Sequence, residues 1–260
     1  MKKERRDFIK QAGFVGAAVV TGGAAVVTSG ILAPTTANAS SGHEVTDSDQ
    51  PRLGMVIDMT KCKEECNDCS DICHSVHNVP DHGNPKDEIK WIWKNEYERV
   101  FTDKSHQYVS QDLKQKPFLT MCNHCDDPPC VKVCPTNATF KRNDGIVQMD
   151  FHRCIGCRFC MAGCPYGSRS FNWIEPRPAI KEIDSSFPTR ERGVVEKCNF
   201  CAELIDKGEK PACVTTCKEG ALIFGDLNDP NSEIRKVLET TKTIQRKPGL
   251  GTKPSVFYVV

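Results

Sequence analysis

Sixteen cysteines stand in this chain of 260 residues, and they fall into fours. Cys62, Cys66, Cys69 and Cys73 are spaced C-x3-C-x2-C-x3-C. Cys122, Cys125, Cys130 and Cys134 give C-x2-C-x4-C-x3-C, with Pro135 directly after. Cys154, Cys157, Cys160 and Cys164 give C-x2-C-x2-C-x3-C, followed by Pro165. Cys198, Cys201, Cys213 and Cys217 give C-x2-C-x11-C-x3-C, and no cysteine is left over. Thiols this dense pair as disulfides, hold zinc or ligate iron–sulfur clusters. The run RCIGCRFCMAGCP favours the last: three closely spaced thiolates wrap one corner of a [4Fe–4S] cubane, and the fourth faces a second cluster. Cysteines packed this tightly rarely meet disulfide geometry. Structural zinc more often uses two C-x2-C knuckles well apart. A haem c attachment needs C-x-x-C-H; Cys73-His74 fails because Cys69 lies four positions before Cys73.

Crossing of the fourth cysteine, applied twice, predicts four [4Fe–4S] clusters held by iron ligation to all sixteen thiolates. Cluster 1 takes Cys62, Cys66, Cys69 and Cys217. Cluster 2 takes Cys198, Cys201, Cys213 and Cys73. Cluster 3 takes Cys122, Cys125, Cys130 and Cys164, and cluster 4 takes Cys154, Cys157, Cys160 and Cys134. His124, inside CNHC, is the best histidine to support a cluster through hydrogen bonds. Arg158, Arg169, Lys197 and Lys218 stand near cysteines and are candidates to offset negative clusters; the plainer alternative is four solvated charges.

The elements that would position these thiols repeat. GMVIDMTKC and GIVQMDFHRC each read as a short strand, an aspartate (Asp58 or Asp150) and then a first cysteine. PTNATFKR, PYGSRSFNW and KEGALIFGD each follow a fourth cysteine as a turn leading into a β-prone run. The expected fold is α+β: two ferredoxin-like [4Fe–4S] units, one inserted in the other, with a loop-rich insertion and a C-terminal tail. Residues 116–174 form the central unit, and residues 53–115 and 175–225 the two halves of the outer one. Glu88–Arg99 is read as a possible helix, while the alternation of Trp91 and Trp93 would let one side of a strand or edge present both, and AELIDKGEKPA is read as a short helix ended at Gly208. In the tail, 226–260, Asp229 and Pro230 read as the start of a helix with Ile234, Val237 and Leu238 on its apolar stripe.

Residues 1–39 stand apart from this fold. Arg5 and Arg6 precede Phe8 and Ile9, a Gly/Ala-rich run follows, and Ala37-Asn38-Ala39 gives a small-x-small cleavage site. The segment resembles a twin-arginine export signal cleaved after Ala39, with 40–52 a flexible leader. That route carries folded proteins and suits one whose clusters are inserted before export. The expected location is the periplasm. No stretch after Ala39 is long and apolar enough to cross a bilayer. The net charge of +1 offers no basic field for nucleic acid. Without a nucleophile motif, phosphate loop or dinucleotide fingerprint, the chain reads as an electron-transfer subunit and not as an enzyme.

Four quartets, the fourth split by eleven residues, resemble the four-cluster ferredoxin-type electron-transfer subunits of exported or membrane-bound oxidoreductases. The words DEIKWIWKNEYERVF, VVEKCNFCAELIDKG and FGDLNDPNSEIRKVL narrow the resemblance to the periplasmic iron–sulfur subunits (DsrO) of the sulfite-reduction-associated membrane complex. It implies three kinds of partner: an integral-membrane quinone-reactive subunit of polysulfide-reductase type, a multihaem cytochrome c, and further subunits of the same complex. A relay subunit of a molybdopterin oxidoreductase or hydrogenase is the alternative, and a structural zinc-binding protein a more distant one. The sequence departs from the two-cluster pattern where His74 and Lys218 replace the proline after Cys73 and Cys217.

Overall fold

The aspartate that precedes each first cysteine shapes the entry to its loop in the same way. Asp58 Oδ1 accepts the backbone N–H of Thr60 at 3.0 Å, and Asp150 Oδ1 accepts that of His152 at 2.9 Å. Both are side-chain turns that end a strand and start a cysteine loop. These details come from a computed structural model that describes residues 50–260. Arg5, Arg6 and the Ala37–Ala39 site lie outside the described residues, as does nearly all of the 40–52 leader.

In chain order the described residues form β1 (Leu53–Asp58), α1 (Asp68–Val76), β2 (Ile92–Glu96), α2 (Tyr97–Val100), α3 (Gln111–Gln115), β3 (Pro117–Met121), α4 (Pro129–Lys132), β4 (Thr139–Lys141) and β5 (Val147–Met149). They continue with α5 (Phe159–Ala162), β6 (Ser170–Phe171), β7 (Val195–Glu196), α6 (Ala202–Ile205), α7 (Ala212–Thr216), β8 (Leu222–Asp226), α8 (Glu233–Thr240), β9 (Thr243–Ile244) and β10 (Val256–Val259). Strands β4, β6 and β8 are the β-prone runs expected after Cys134, Cys164 and Cys217.

The largest sheet has the order β8-β1-β10-β9. Strand β1 pairs antiparallel with β8 and parallel with β10, so Met55 faces both Phe224 and Val256. Side chains alternate across it. Met55 and Ile57 join the main core with Trp91, Phe101, Phe118 and Tyr258. Val56 points the other way, into a smaller cluster with Ile223 and Ile234 of α8. The remaining ladders are two-stranded: β2 with β3, β4 with β5, β6 with β7. Helices α1 and α7 pack together, as do α4 and α5.

Three local expectations meet the structure differently. Glu88–Arg99 is not one helix; only its end, Tyr97–Arg99, belongs to α2. Its centre is β2, paired in register with β3 from Ile92 opposite Met121 to Glu96 opposite Pro117. Trp91 is fully buried beside it. The aromatic and β-branched side chains suit a strand, and the partner that selects it lies outside the window in which a helix is read. Helix α8 begins at Glu233, capped by Ser232, whose Oγ accepts the N–H of Arg235 at 3.4 Å. Asp229 instead accepts from Asn231 in a turn of its own. The apolar stripe is as expected: Ile234 is buried, with Val237 and Leu238 packed around it. The regular part of α6 ends at Ile205, and the chain then closes through Gly208 at φ 80°. Gly208 N bonds Ile205 O and Glu209 N bonds Leu204 O, both the closing bonds of a Schellman motif with glycine where the sequence placed it.

Candidate metal centre

Three of the cysteine loops share one backbone device. In each C-x2-C pair the second intervening residue is left-handed: His124 at φ 40°, Gly156 at 67° and Phe200 at 57°. This reversal brings two thiols to one side of a tight loop. Gly156 is obligatory on a second count, since a Cβ there would lie 2.3 Å from the Gly193 carbonyl oxygen. The exits repeat as well. Asn137, Gly167 and Gly220 each stand three residues after a fourth cysteine with positive φ. Their N–H groups bond back to the carbonyls of Cys134, Cys164 and Cys217 at 3.4, 3.4 and 3.2 Å. One residue on, Ala221 N donates to Cys217 Sγ at 3.3 Å, and the N–H groups of Ala138 and Ser168 serve Cys134 and Cys164 likewise.

The first quartet departs from this device in ways its sequence explains. Without a proline after Cys73, α1 runs on to Val76 before Asn78 turns left-handed. The wider x3 loop between Cys62 and Cys66 turns its carbonyls outward, and Lys94 of β2 gathers those of Glu64 and Cys66, the latter at 2.6 Å.

The structure brings the thiols together in four sets, each completed from a second quartet. Cys122, Cys125, Cys130 and Cys164 line one cavity, walled by Pro128, Pro129, Tyr166 and Arg169. Cys134, Cys154, Cys157 and Cys160 line another with Ala138, Met149 and Ile155. Cys69 is flanked by Cys62, Cys217 and Cys66. Cys73 is flanked by Cys198, Cys213 and Cys201. We number these cages 3, 4, 1 and 2. The x3 spacing at the end of each quartet is one helical turn, a rise of about 5–6 Å. So α1, α4, α5 and α7 each carry or adjoin two cysteines that belong to neighbouring cages.

The cages stand in a row. Cys213 of cage 2 feels Cys69 of cage 1, Cys198 of cage 2 feels Cys122 of cage 3, and Cys160 of cage 4 feels Cys130 of cage 3. Burial follows the same order. All four cysteines of cage 2 are buried, and three of cage 3, but only Cys69 in cage 1 and Cys160 in cage 4.

Burial, and then the neighbouring thiols, push Cys69 up to about 11 and Cys125 up to about 12. Burial and Cys122 bring Cys198 to about 12, and Cys73 and Cys213 lie well above the ordinary range. Burial also pulls Cys134 upward, but bonds from Thr139, Thr136 and Ala138 outweigh it and hold this thiol below its usual value. Four buried thiols cannot all ionise beside one another unless a metal centre displaces the protons. All sixteen cysteines are free of disulfides, which leaves every sulfur available. Sulfur-only donor sets with backbone N–H groups aimed at them fit iron–sulfur clusters.

Between cages 2 and 3, His124 is fully buried and stacks on Phe200 with ring centroids 3.6 Å apart. Its Nδ1 accepts the Val147 N–H at 3.1 Å. Burial, and then Lys197, hold it well below the usual histidine range, so the ring is neutral. Of the four cations singled out in the sequence, Lys197 and Arg169 are buried. Lys197 Nζ donates to the carbonyls of Val147 and Cys198. Arg158 and Lys218 are exposed; Lys218 is a surface charge, while Arg158 also lines the cage 4 cavity and lies over the Trp173 ring at 4.7 Å. His106 and His152 are exposed too.

His77 is one of the histidines for which the sequence allows a surface role or hydrogen bonding to a cluster or the backbone, and the structure gives it the second. Its Nδ1 lies 2.9 Å from the Cys73 carbonyl, its Nε2 2.8 Å from Glu203 Oε1, and its ring stacks on Trp91 at 4.6 Å. Burial opposes its charge, but Cys201 and Glu203 raise it to about 9. His77 stands four residues after Cys73, one turn on, as the C-terminal cap of α1. What the sequence did not show is the tail. Thr252 reaches Cys125 and Tyr166, and Arg246 bonds the Tyr166 carbonyl at 3.2 Å, so the tail forms an outer wall of cage 3.

Comparison with known proteins gives one answer. The family model "4Fe-4S dicluster domain" matches residues 114–177 and 183–227. An Hdr-like menaquinol oxidoreductase iron–sulfur subunit 1 from Archaeoglobus fulgidus is 43% identical over 231 residues, covering 80% of this chain and 82% of its own. The arsenate respiratory reductase iron–sulfur subunit ArrB of a Shewanella species is 37% identical, covering 80% of this chain and 96% of its own. A component of the polysulfide reductase of Wolinella succinogenes is 34% identical, with 80% and 94% covered. The chain therefore belongs to the family of [4Fe–4S] electron-transfer subunits of oxidoreductase complexes, as a relay subunit and not a catalytic one.

Proposed function

We propose that the chain carries four [4Fe–4S] clusters, one in each cage, and relays electrons along them from one end of the row to the other. The observation that carries this reading is the row itself: two half-exposed end cages with two buried cages between them. A [4Fe–4S] cluster in such a cage passes one electron at a time. The chain supplies thiolates in crossed sets, N–H groups toward sulfur at Cys134, Cys164 and Cys217, and exclusion of water from cages 2 and 3. Partners exchange electrons where Cys62 and Cys66 open cage 1, and where Cys134, Cys154 and Cys157 open cage 4. Pairing of β1 with β8 and packing of α1 on α7 support an outer ferredoxin-like unit, 53–115 with 175–225, wrapped around a central one at 116–174.

We assign the subunit to a membrane-associated respiratory complex linked to sulfite and sulfate reduction, the DsrO type. Support comes from the sequence words of the insertion and tail, and from the relative named as a menaquinol oxidoreductase subunit. Its partners are then a quinone-reactive membrane subunit of polysulfide-reductase type and a multihaem cytochrome c. Among the described residues no helix is long and apolar enough to cross a membrane, so attachment goes through the complex. The twin-arginine segment supports a periplasmic location. The relatives named for arsenate and polysulfide reduction favour a second reading, the relay of a terminal reductase with a molybdopterin partner. Neighbouring genes separate the two. The clusters are tested by iron analysis and EPR of the anaerobically purified chain: about sixteen irons are expected, four for each of four clusters. A colourless, zinc-loaded protein sinks the reading.

A further inference from the structure

Arg169 leaves the third quartet five residues after Cys164 and is 5% exposed. Its Nη1 donates to Thr139 Oγ1 at 3.1 Å and stands 3.7 Å from Met149 Sδ. Thr139 in turn donates to Met149 Sδ at 3.0 Å, which fixes that side of the fork. Nη2 is buried with no hydrogen-bonded oxygen or nitrogen partner among the described residues, and the guanidinium leans instead on the sulfurs of Cys130 and Cys160. No carboxylate of the described residues forms an ion pair with it. Arg190, equally buried, is paired with Glu196 in the usual way. An unpaired buried guanidinium is costly, and a fold retains one only where negative charge arrives by another route.

The geometry shows where that charge would be. Arg169 forms part of the wall of cage 3. Met149, which it touches, forms part of the wall of cage 4. The thiols its charge bears on most are Cys130 of cage 3 and Cys160 of cage 4, and then Cys122 of cage 3. One planar cation thus stands between two sets of sulfur ligands, with one nitrogen anchored and the other free to donate to sulfur.

We propose that Arg169 is a positioning residue shared by cages 3 and 4, whose fixed charge holds the reduction potentials of both clusters up together. This rests on the cluster reading given above. Reduction adds one electron, and so one negative charge, to a cluster; a cation beside it favours that form and raises its potential. The guanidinium keeps its proton at every working pH, so the electron enters these two cages without drawing a proton from Arg169. The effect is paired because the cation is shared: whatever moves one potential through Arg169 moves the other in the same direction.

The test is an EPR-monitored redox titration of the holoprotein, with iron counted in the same samples. Arg169→Gln is expected to keep all its iron and to lower two of the four potentials. The expected shift is about tenfold in each oxidised-to-reduced ratio, or about 59 mV for a one-electron couple. The other two potentials should stay in place, and Arg169→Lys should recover part of the shift. If Arg169→Gln loses iron, Thr139→Val frees Nη1 from its anchor while keeping the cation, and the same two potentials should move. No movement, movement of only one potential, or movement of all four overturns the proposal. A wild-type protein without four titrating clusters overturns the cluster reading itself, which is a different failure.

Discussion

Cys69 and Cys73 lie on the same face of α1, one turn apart, yet they face different thiols. A helix can place two residues side by side without giving them the same neighbours, because each turn carries the chain onward by about 5–6 Å. Cys73→Ser should therefore cost the cluster of Cys198, Cys201 and Cys213 and leave that of Cys62, Cys66 and Cys69 intact. About twelve of sixteen irons should remain. Iron analysis with EPR of the variant checks this, and loss of the Cys62 cluster instead would show the crossed assignment to be wrong. His77 shows how far spacing alone reaches at this scale. The sequence marks it only as one of several histidines suited to bonding a cluster or the backbone, whereas in the fold it reaches both Cys73 and Glu203.

At the scale of elements, what the sequence displayed well was whatever is encoded locally. Asp58 and Asp150 before a first cysteine, the left-handed residue three after a fourth, and Gly208 at the end of α6 are all short-range chemistry, and each stands in its expected loop or strand context. What it hid depends on partners remote in the chain. Ile92–Glu96 becomes strand because β3 lies beside it, and Val256–Val259 becomes the parallel neighbour of β1 across nearly the whole chain. The helical start at Asp229-Pro230 was a competition between two caps, and Ser232 won because Asp229 is used in its own turn. Helix α8 then stands on the sheet through Ile234, whose Cγ2 would lie 3.1 Å from a Cβ on Gly225 of β8. Ile234→Ala should destabilise the fold by about 2–5 kcal/mol. The urea midpoint should fall while iron content holds, because α8 touches none of the cages. A variant with an unchanged midpoint would mean that α8 is dispensable to the sheet.

For the whole molecule, the proposed clusters and the proposed export signal make a joint demand, that the cofactors be in place before the chain leaves the cytoplasm. Replacing Arg5 and Arg6 together by lysine should leave the chain in the cytoplasm with its iron in place, seen by fractionation with iron analysis. An unchanged periplasmic fraction would end the twin-arginine assignment. The topology adds a demand in time. Strand β1 is among the first described parts of the chain, yet one of its two partners, β10, is the last of the described strands, and cages 1 and 2 each borrow a cysteine from the far side of the sequence. A growing chain folds by whatever has already left the ribosome. Cages 3 and 4 have all their thiols once Cys164 has emerged. Cages 1 and 2 wait for Cys217 and Cys213, and the sheet waits for Val256–Val259. Assembly thus runs from the middle of the chain outward, and a route that threaded the polypeptide across a membrane as it was made would deliver it with cages 1 and 2 still open.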